Sequence, residues 1–297
     1  MSGPYGAADG LVRVYPADAA ATRPAPGLVW THGGGFAAGD LDMPEADWVA
    51  RSLAARGVTV VSVDYRLVGD GCRYPAPSDD VLAAWRWTLA HAEDLGVDPD
   101  RLAIGGASAG ANLVTGAVLR LLQPARQLPA GVFLAYPTLL AVQPAPDAAL
   151  RALLDANPDA DRFDPDRVRS MYESYLGGPV DDAPLPAVPG RAAASELAGF
   201  PPVLMINDEI DELRVSGEVF AWTLVDAGVP LELVVEPGTE HGHLNRPGGA
   251  AASDSIERVE RWIARGFAPG LDTPQAAPRP ARTDHLTTLR ITEGIPS

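Results

Sequence analysis

Arg101-Leu102-Ala103-Ile104-Gly105-Gly106-Ala107-Ser108-Ala109-Gly110-Ala111-Asn112 is the stretch whose reading decides the fold. Arg101–Gly105 is short, apolar and closed by glycines, as a buried strand is, and a helical pattern over Ala109–Leu122 begins at once. Between the two lies Gly106-Ala107-Ser108-Ala109-Gly110, a G-x-S-x-G in the strand–turn–helix setting that lifts a serine above a sheet edge. In so tight a turn, side chains two residues to either side of the serine would collide with the neighbouring strand and helix. The helix N-terminus favours negative charge developing at that point. A free serine hydroxyl is a weak nucleophile and needs a base beside it. The plain alternative is a Gly/Ser-rich turn in an alanine-rich chain, so the partners must come from elsewhere in the sequence.

Outward from this stretch, apolar runs of strand length alternate with helical segments, the pattern of a mostly parallel sheet flanked by helices, an α/β fold. Leu11–Tyr15, Gly27–Thr31, Gly57–Val63, Gly131–Tyr136, Pro202–Ile206 and Leu231–Val235 read as further strands. Pro44–Arg56, Asp79–Leu95, Leu213–Ala227 and Ala252–Gly266 read as helices. The rhythm breaks between Leu139 and Leu197, where Pro, Asp and Ala dominate and two short helices are expected, Asp147–Asp155 and Asp164–Tyr175. This gives a core of residues 1–138 and 198–266, a helical cap insertion at 139–197 and a Pro/Ala-rich tail at 267–297.

The bulk properties narrow the function. The 297 residues carry a formal net charge of -16, which repels phosphate backbones and anionic lipid, so neither nucleic acid nor membrane is expected as a partner. All 23 basic residues are arginine, which removes lysine chemistry. The single cysteine, Cys72, excludes an internal disulfide and suits a reducing compartment. With no signal-peptide pattern at the N-terminus and no run approaching 18 apolar residues, a cytoplasmic location is expected.

His32-Gly33-Gly34-Gly35-Phe36 follows an apolar strand directly. Three consecutive glycines leave backbone N–H groups bare for a substrate oxygen, and one such donor is worth roughly 2.7–4 kcal/mol in acyl transfer. Two N–H groups from Gly33, Gly34 and Gly35 are expected to combine with that of Ala109 as an oxyanion hole. A phosphate loop would need G-x-G-x-x-G or a lysine, and neither is present. His32 reads as a residue that holds the loop.

Where a serine elbow sits on a parallel sheet, the chain order is Ser, acid, His. His32 and His91 precede Ser108 and His285 lies in the tail, which leaves Glu240-His241-Gly242-His243 after the last strand. His241 is the choice for the base, with His243 the weaker candidate. An unperturbed imidazole places the acid limb of activity near ~6.5. The acid should follow strand 202–206, where Asp208, Glu209, Asp211 and Glu212 all stand. Spacing alone does not separate Asp208 from Asp211.

The ensemble resembles a known family. His32–Phe36, Asp64-Tyr65-Arg66-Leu67, Tyr74-Pro75-Ala76-Pro77 with Asp79-Asp80, Gly106–Asn112, Pro201-Pro202, Asp211-x-Leu213-Arg214 and Gly238-x-x-His241-Gly242 follow one another as in the bacterial hormone-sensitive-lipase-like carboxylesterases, the α/β-hydrolase-3 group. The resemblance spans residues 25–266. It implies an α/β-hydrolase fold, a carboxylesterase without cofactor or metal, an acyl-Ser108 intermediate with Asp211 as the acid, and a homodimer through the last strand. It also implies that Asp64 and Arg66 brace the loop behind the oxyanion hole. The sequence departs from the family at Ala107, commonly Asp; at Ala111, commonly Gly; and at His243, usually Phe. Only 31 residues precede His32, so the family's N-terminal cap helices are not expected.

The expected substrate is a small-molecule ester with a short to medium acyl chain. Amide, lactone or thioester cleavage and acyl transfer use the same residues and form the alternative within enzymes. A non-catalytic binding protein on this fold is the alternative outside them.

Overall fold

The computed structural model describes residues 3–123 and 126–270. Eight strands form one sheet: β1 (Tyr5–Ala7), β2 (Val12–Tyr15), β3 (Ala25–Thr31), β4 (Thr59–Val63), β5 (Val97–Ala107), β6 (Val132–Ala135), β7 (Val203–Ile210) and β8 (Leu231–Glu240). Their spatial order is β1-β2-β4-β3-β5-β6-β7-β8. β1 and β2 are antiparallel additions at one edge, and every pairing from β4 to β8 is parallel.

The helices are α1 (Pro44–Ala54), α2 (Ala76–Ala90), α3 (Ala92–Leu95), α4 (Ala109–Leu121), α5 (Ala148–Ala156), α6 (Pro165–Leu176), α7 (Arg214–Asp226) and α8 (Ala250–Ala264). The sheet is covered on both faces, which is why its central strands are continuous apolar runs. Alternation along β3 sorts the core: Val29 joins the cluster with α2, α4 and α7, while Leu28 and Trp30 join the cluster with α1 and α8.

Residues 139–197 contain α5, α6 and a series of short 3₁₀ turns, with no strand. Both helices are started by aspartates: Asp147 accepts the Leu150 N–H, and Asp164 accepts those of Asp166 and Arg167 ahead of Pro165 at the first helical position. The buried stripe of α6, Val168, Tyr172 and Tyr175, packs into the main core, with Tyr175 stacked on Phe36 at 4.1 Å.

The structure corrects several boundaries. β1 was not expected. β5 starts at Val97, because Val97 pairs with Ala25 across a bulge before the regular register resumes at Gly27–Leu102. The expected helix Asp79–Leu95 is two helices, broken at His91, whose ring Nδ1 lies 2.8 Å from the Trp87 carbonyl. β7 and β8 run on through Ile210 and Glu240, where the sequence suggests loop. Their mutual pairing, Asn207 to Val235 and Asp208 to Glu236, overrides the low strand propensity of these polar residues. Of the tail, Phe267 is buried against Trp262 and Gly270 donates its N–H to Glu232; residues 271–297 lie outside the described residues.

Candidate active site

Ser108 sits between β5 and α4 with φ 51 and ψ -116, a conformation that costs a non-glycine residue of order 1–3 kcal/mol. Packing holds it there: its N–H donates to Ala135 at 2.9 Å, and its carbonyl accepts from Asn112 and Thr138. A Cβ on Gly106 would stand 2.5 Å from the Gly110 carbonyl carbon, and one on Gly110 would stand 2.3 Å from the Thr31 oxygen. The G-x-S-x-G spacing is therefore a packing requirement of this turn.

The three expected residues come together. Ser108 Oγ lies 2.9 Å from His241 Nε2, and His241 Nδ1 lies 2.7 Å from Asp211 Oδ2. Asp211 is fully buried and its second oxygen accepts the Leu213 N–H at 3.0 Å, so the carboxylate cannot swing away. Burial of the imidazole pulls the His241 pKa down. The charge of Asp211 and the hydrogen bond to it, with Asp208 and Glu45 adding, outweigh that, and the net shift is upward.

The glycine loop needs one correction. Gly33 was expected among the oxyanion donors, but its N–H is given to the buried carboxylate of Glu45, 2.6 Å to Oε1. Gly34 and Gly35 retain N–H groups with no acceptor among the described residues, and Ala109, as the first residue of α4, has no acceptor within the helix. The available donors are therefore Gly34, Gly35 and Ala109. Gly34 has φ +115, and a Cβ there would stand 1.9 Å from the Ala38 oxygen, so only glycine fits.

Glu45 organises this side of the site. Its other oxygen accepts from Tyr136 Oη at 2.5 Å and Asn245 Nδ2 at 3.0 Å, and its backbone carbonyl accepts the Trp30 indole N–H at 2.8 Å. Sequence reasoning missed it. The available signal was an acidic residue in phase with the buried stripe Val49 and Leu53 of α1. His32 lies behind the loop, stacked on Tyr65 at 4.5 Å. Tyr65 Oη donates to the carbonyls of His32 and Gly33, so the bracing expected of Asp64 and Arg66 falls to Tyr65. Arg66 pairs instead with Asp80, at 2.8 Å, and Asp64 is exposed.

The two alternatives that spacing left open, Asp208 and His243, pair with each other. His243 Nδ1 bonds Asp208 Oδ1, and His243 Nε2 lies 2.9 Å from Ser255 Oγ. Asp208 further accepts Thr239 Oγ1 at 3.0 Å and the Gly242 N–H at 2.8 Å. Both Asp208 and His243 are buried, and this second set has no route to a substrate. Asp208, Asp211 and His241 are close enough to hold a metal ion, with ligand atoms within 4.8 Å of one another. Their lone pairs are already directed at Ser108, Thr239, Gly242, Leu213 and each other, which suits a proton relay better than a coordination sphere.

Above Ser108 opens a cleft of about 470 Å³, lined by the glycine loop, His241 and residues of the 139–197 segment, including Phe163, Val168 and Met171. Phe163 lies edge-on to His241 at 4.6 Å, and Met171 reaches the open side of Gly35. Among the described residues, no helix is long and apolar enough to cross a membrane.

A mostly parallel sheet carrying a serine elbow, with acid and histidine delivered by the ends of its last two strands, defines a hydrolase architecture, and the chain belongs to the α/β-hydrolase fold family, which it matches over residues 28–245. It is 38% identical over 226 residues to the carboxylesterase NlhH of Mycobacterium tuberculosis, covering 74% of this chain and 67% of that one. It is 36% identical over 224 residues to the ethyl acetate hydrolase of Pseudomonas putida, covering 72% and 64%. The chain thus spans about two thirds of the length of these relatives. Among solved structures it is similar to the esterase LipW of Mycobacterium marinum (TM-score 0.74, 33% identity, covering 90% and 81%). It is likewise similar to brefeldin A esterase, described as a bacterial homologue of human hormone sensitive lipase (TM-score 0.74, 26% identity, covering 90% and 76%). The resemblance drawn from the motifs is met at the level of family and fold.

Proposed function

We propose that this protein is a carboxylesterase that hydrolyses small esters through an acyl-Ser108 intermediate. The observation that carries this reading is the unbroken chain Ser108–His241–Asp211, at 2.9 and 2.7 Å, opening into a cleft beside the free N–H groups of Gly34 and Gly35. His241 takes the Ser108 proton as Oγ attacks the ester carbonyl, and Asp211 stabilises the imidazolium. The oxyanion is received by Gly34, Gly35 and Ala109. His241 then gives its proton to the departing alcohol, and water repeats the sequence to release the acid. Names given to the relatives, carboxylesterase and ethyl acetate hydrolase, support the ester as substrate.

The finer substrate reading is a short to medium acyl chain. Each buried CH₂ adds roughly 0.8 kcal/mol until the pocket is filled, and a cleft of about 470 Å³ lined by Val168 and Met171 sets a finite limit to that gain. Preference for chains of about C2 to C8 is expected on this basis. Segment 139–197 acts in this reading as the cap, and the outer edge of β8 as the contact for a second copy. A panel of p-nitrophenyl esters, run beside an anilide and a lactone, tests the reaction class. Turnover of the esters alone is expected; faster anilide or lactone cleavage overturns the reading.

A further inference from the structure

We propose that the esters suited to this cleft carry a carboxylate on their alcohol portion, received by Arg162 with Arg167 beside it. The inference rests on the ester-hydrolase reading above and specifies its substrate.

The chain is strongly acidic, at -16, and its arginines are commonly paired: Arg214 with Glu218, Arg246 with Glu240, Arg151 with Asp155 and Asp161. Arg162 and Arg167 line the cleft and make no ion pair among the described residues. Of the acidic neighbours in the chain, the exposed Asp166 makes no ion pair with either arginine, and Asp161 and Asp164 are used elsewhere. Asp161 is held by Arg151 at 2.5 Å, and Asp164 caps α6 through the N–H groups of Asp166 and Arg167. The acid that does line the cleft, Glu45, is 2% exposed and points its oxygens at Gly33, Tyr136 and Asn245. The charged lining of the cleft is thus two arginines against one buried, engaged carboxylate, a local surplus of positive charge suited to attract and orient an anion.

The position of Arg162 assigns the side. Its Nη2 lies 3.4 Å from the His241 carbonyl, and its guanidinium lies over the Phe163 ring, which itself packs on the His241 imidazole. His241 must hand its proton to the leaving oxygen, so the alcohol portion occupies this side. Phe163 offers it a flat apolar wall and Arg162 a fork for a carboxylate. In the step itself the Ser108 Oγ–acyl bond forms and the acyl–oxygen bond to the alcohol breaks. The serine proton passes through His241 to that oxygen, and the distal carboxylate stays ionised throughout.

The test compares 4-acetoxybenzoate with its methyl ester, which differ in charge at one remote position, with each kcat/KM divided by the uncatalysed hydrolysis rate. The acid is expected to be favoured by roughly two- to fivefold at low salt, in line with exposed charge pairs, and less so at high ionic strength. Arg162→Gln should bring the acid-to-ester ratio towards one, Arg167→Gln should lower it in part, and Arg162→Lys should keep most of it. Both side chains are exposed, so the variants should fold. A ratio of one in the native enzyme, or a ratio unchanged in both Gln variants, overturns the proposal. Failure to turn over either compound while a fluorophosphonate still labels Ser108 overturns it as well; loss of that labelling strikes instead at the ester-hydrolase reading.

Discussion

Asp208 accepts the backbone N–H of Gly242 at 2.8 Å, which ties the residue following the candidate base to the strand that precedes the candidate acid. The bond links the ends of β7 and β8, so His241 is positioned by a carboxylate other than the one it pairs with. His243, packed beneath and bonded to the same Asp208, completes the tie.

This separates two kinds of damage. Asp211→Asn should lower kcat by on the order of 10³–10⁴-fold with little loss of stability, because an amide cannot stabilise the imidazolium. His243→Ala should do the opposite. It leaves the buried Asp208 without its histidine and should cost about 3–5 kcal/mol of stability, with kcat falling less than about tenfold in the protein that remains folded. Urea melts beside steady-state rates on both variants check this, and an exchange of the two phenotypes would place the relay on His243.

The acid limb of kcat/KM should lie above the ordinary histidine value, since Asp211 raises the His241 pKa despite burial. The sequence alone suggests an unperturbed limb, because it does not show how closely the buried Asp211 and Asp208 approach the His241 ring. The sign for stability follows the same shift. A pKa raised on folding contributes stability that is full below the unfolded value near ~6.5 and is lost as pH rises through the folded value. Replacing Asp211 by Asn should move the limb down. A limb that stays fixed in that variant would show that another group titrates.

Much of the site was legible because it is written in local motifs. Ser108, Gly34 and Gly35 belong to turns whose geometry admits few residue types, and the strand and helix around each announce themselves by period. Asp211 was separated from Asp208 only by the family pattern, since both occupy the end of β7. What separates them physically is contact across β7 and β8, where His241 meets one and His243 the other. Glu45 and Tyr65 escaped for the same reason: their partners lie 12 and 32 residues away, at Gly33. The cleft arginines also become visible only when the fold places them at the cleft without an ion pair among the described residues.

Glu45→Ala should slow the reaction while leaving the Ser108–His241–Asp211 hydrogen bonds in place. Gly33 would lose the anchor that orients the two glycines after it, and one displaced oxyanion donor is worth about 2.7–4 kcal/mol. The expected result is a fall of roughly 10²-fold in kcat with a smaller change in KM. Glu45→Gln, which keeps an acceptor for Gly33, should retain far more activity. Equal loss in both variants would contradict the anchoring role.

Chelators should leave the rate unchanged. The oxygens and nitrogens of Asp208, Asp211 and His241 are engaged in the bonds described above, and the chemistry needs no further electrophile. Dialysis against EDTA followed by assay is the check, and activity lost there and restored by zinc would replace the relay with a metal site.

The most direct measurement of the central claim is the site of covalent capture by an organophosphate ester. All basic residues are arginine, so trypsin cuts only after arginine and releases Leu102–Arg120, in which Ser108 is the sole serine. Mass spectrometry of the inactivated protein should find a single phosphoryl adduct on Ser108, formed in step with loss of esterase activity. It should be absent from Ser108→Ala, and its formation should be slowed by several orders of magnitude in His241→Ala. An adduct on any other peptide, or full inactivation with Ser108 unmodified, would contradict the account.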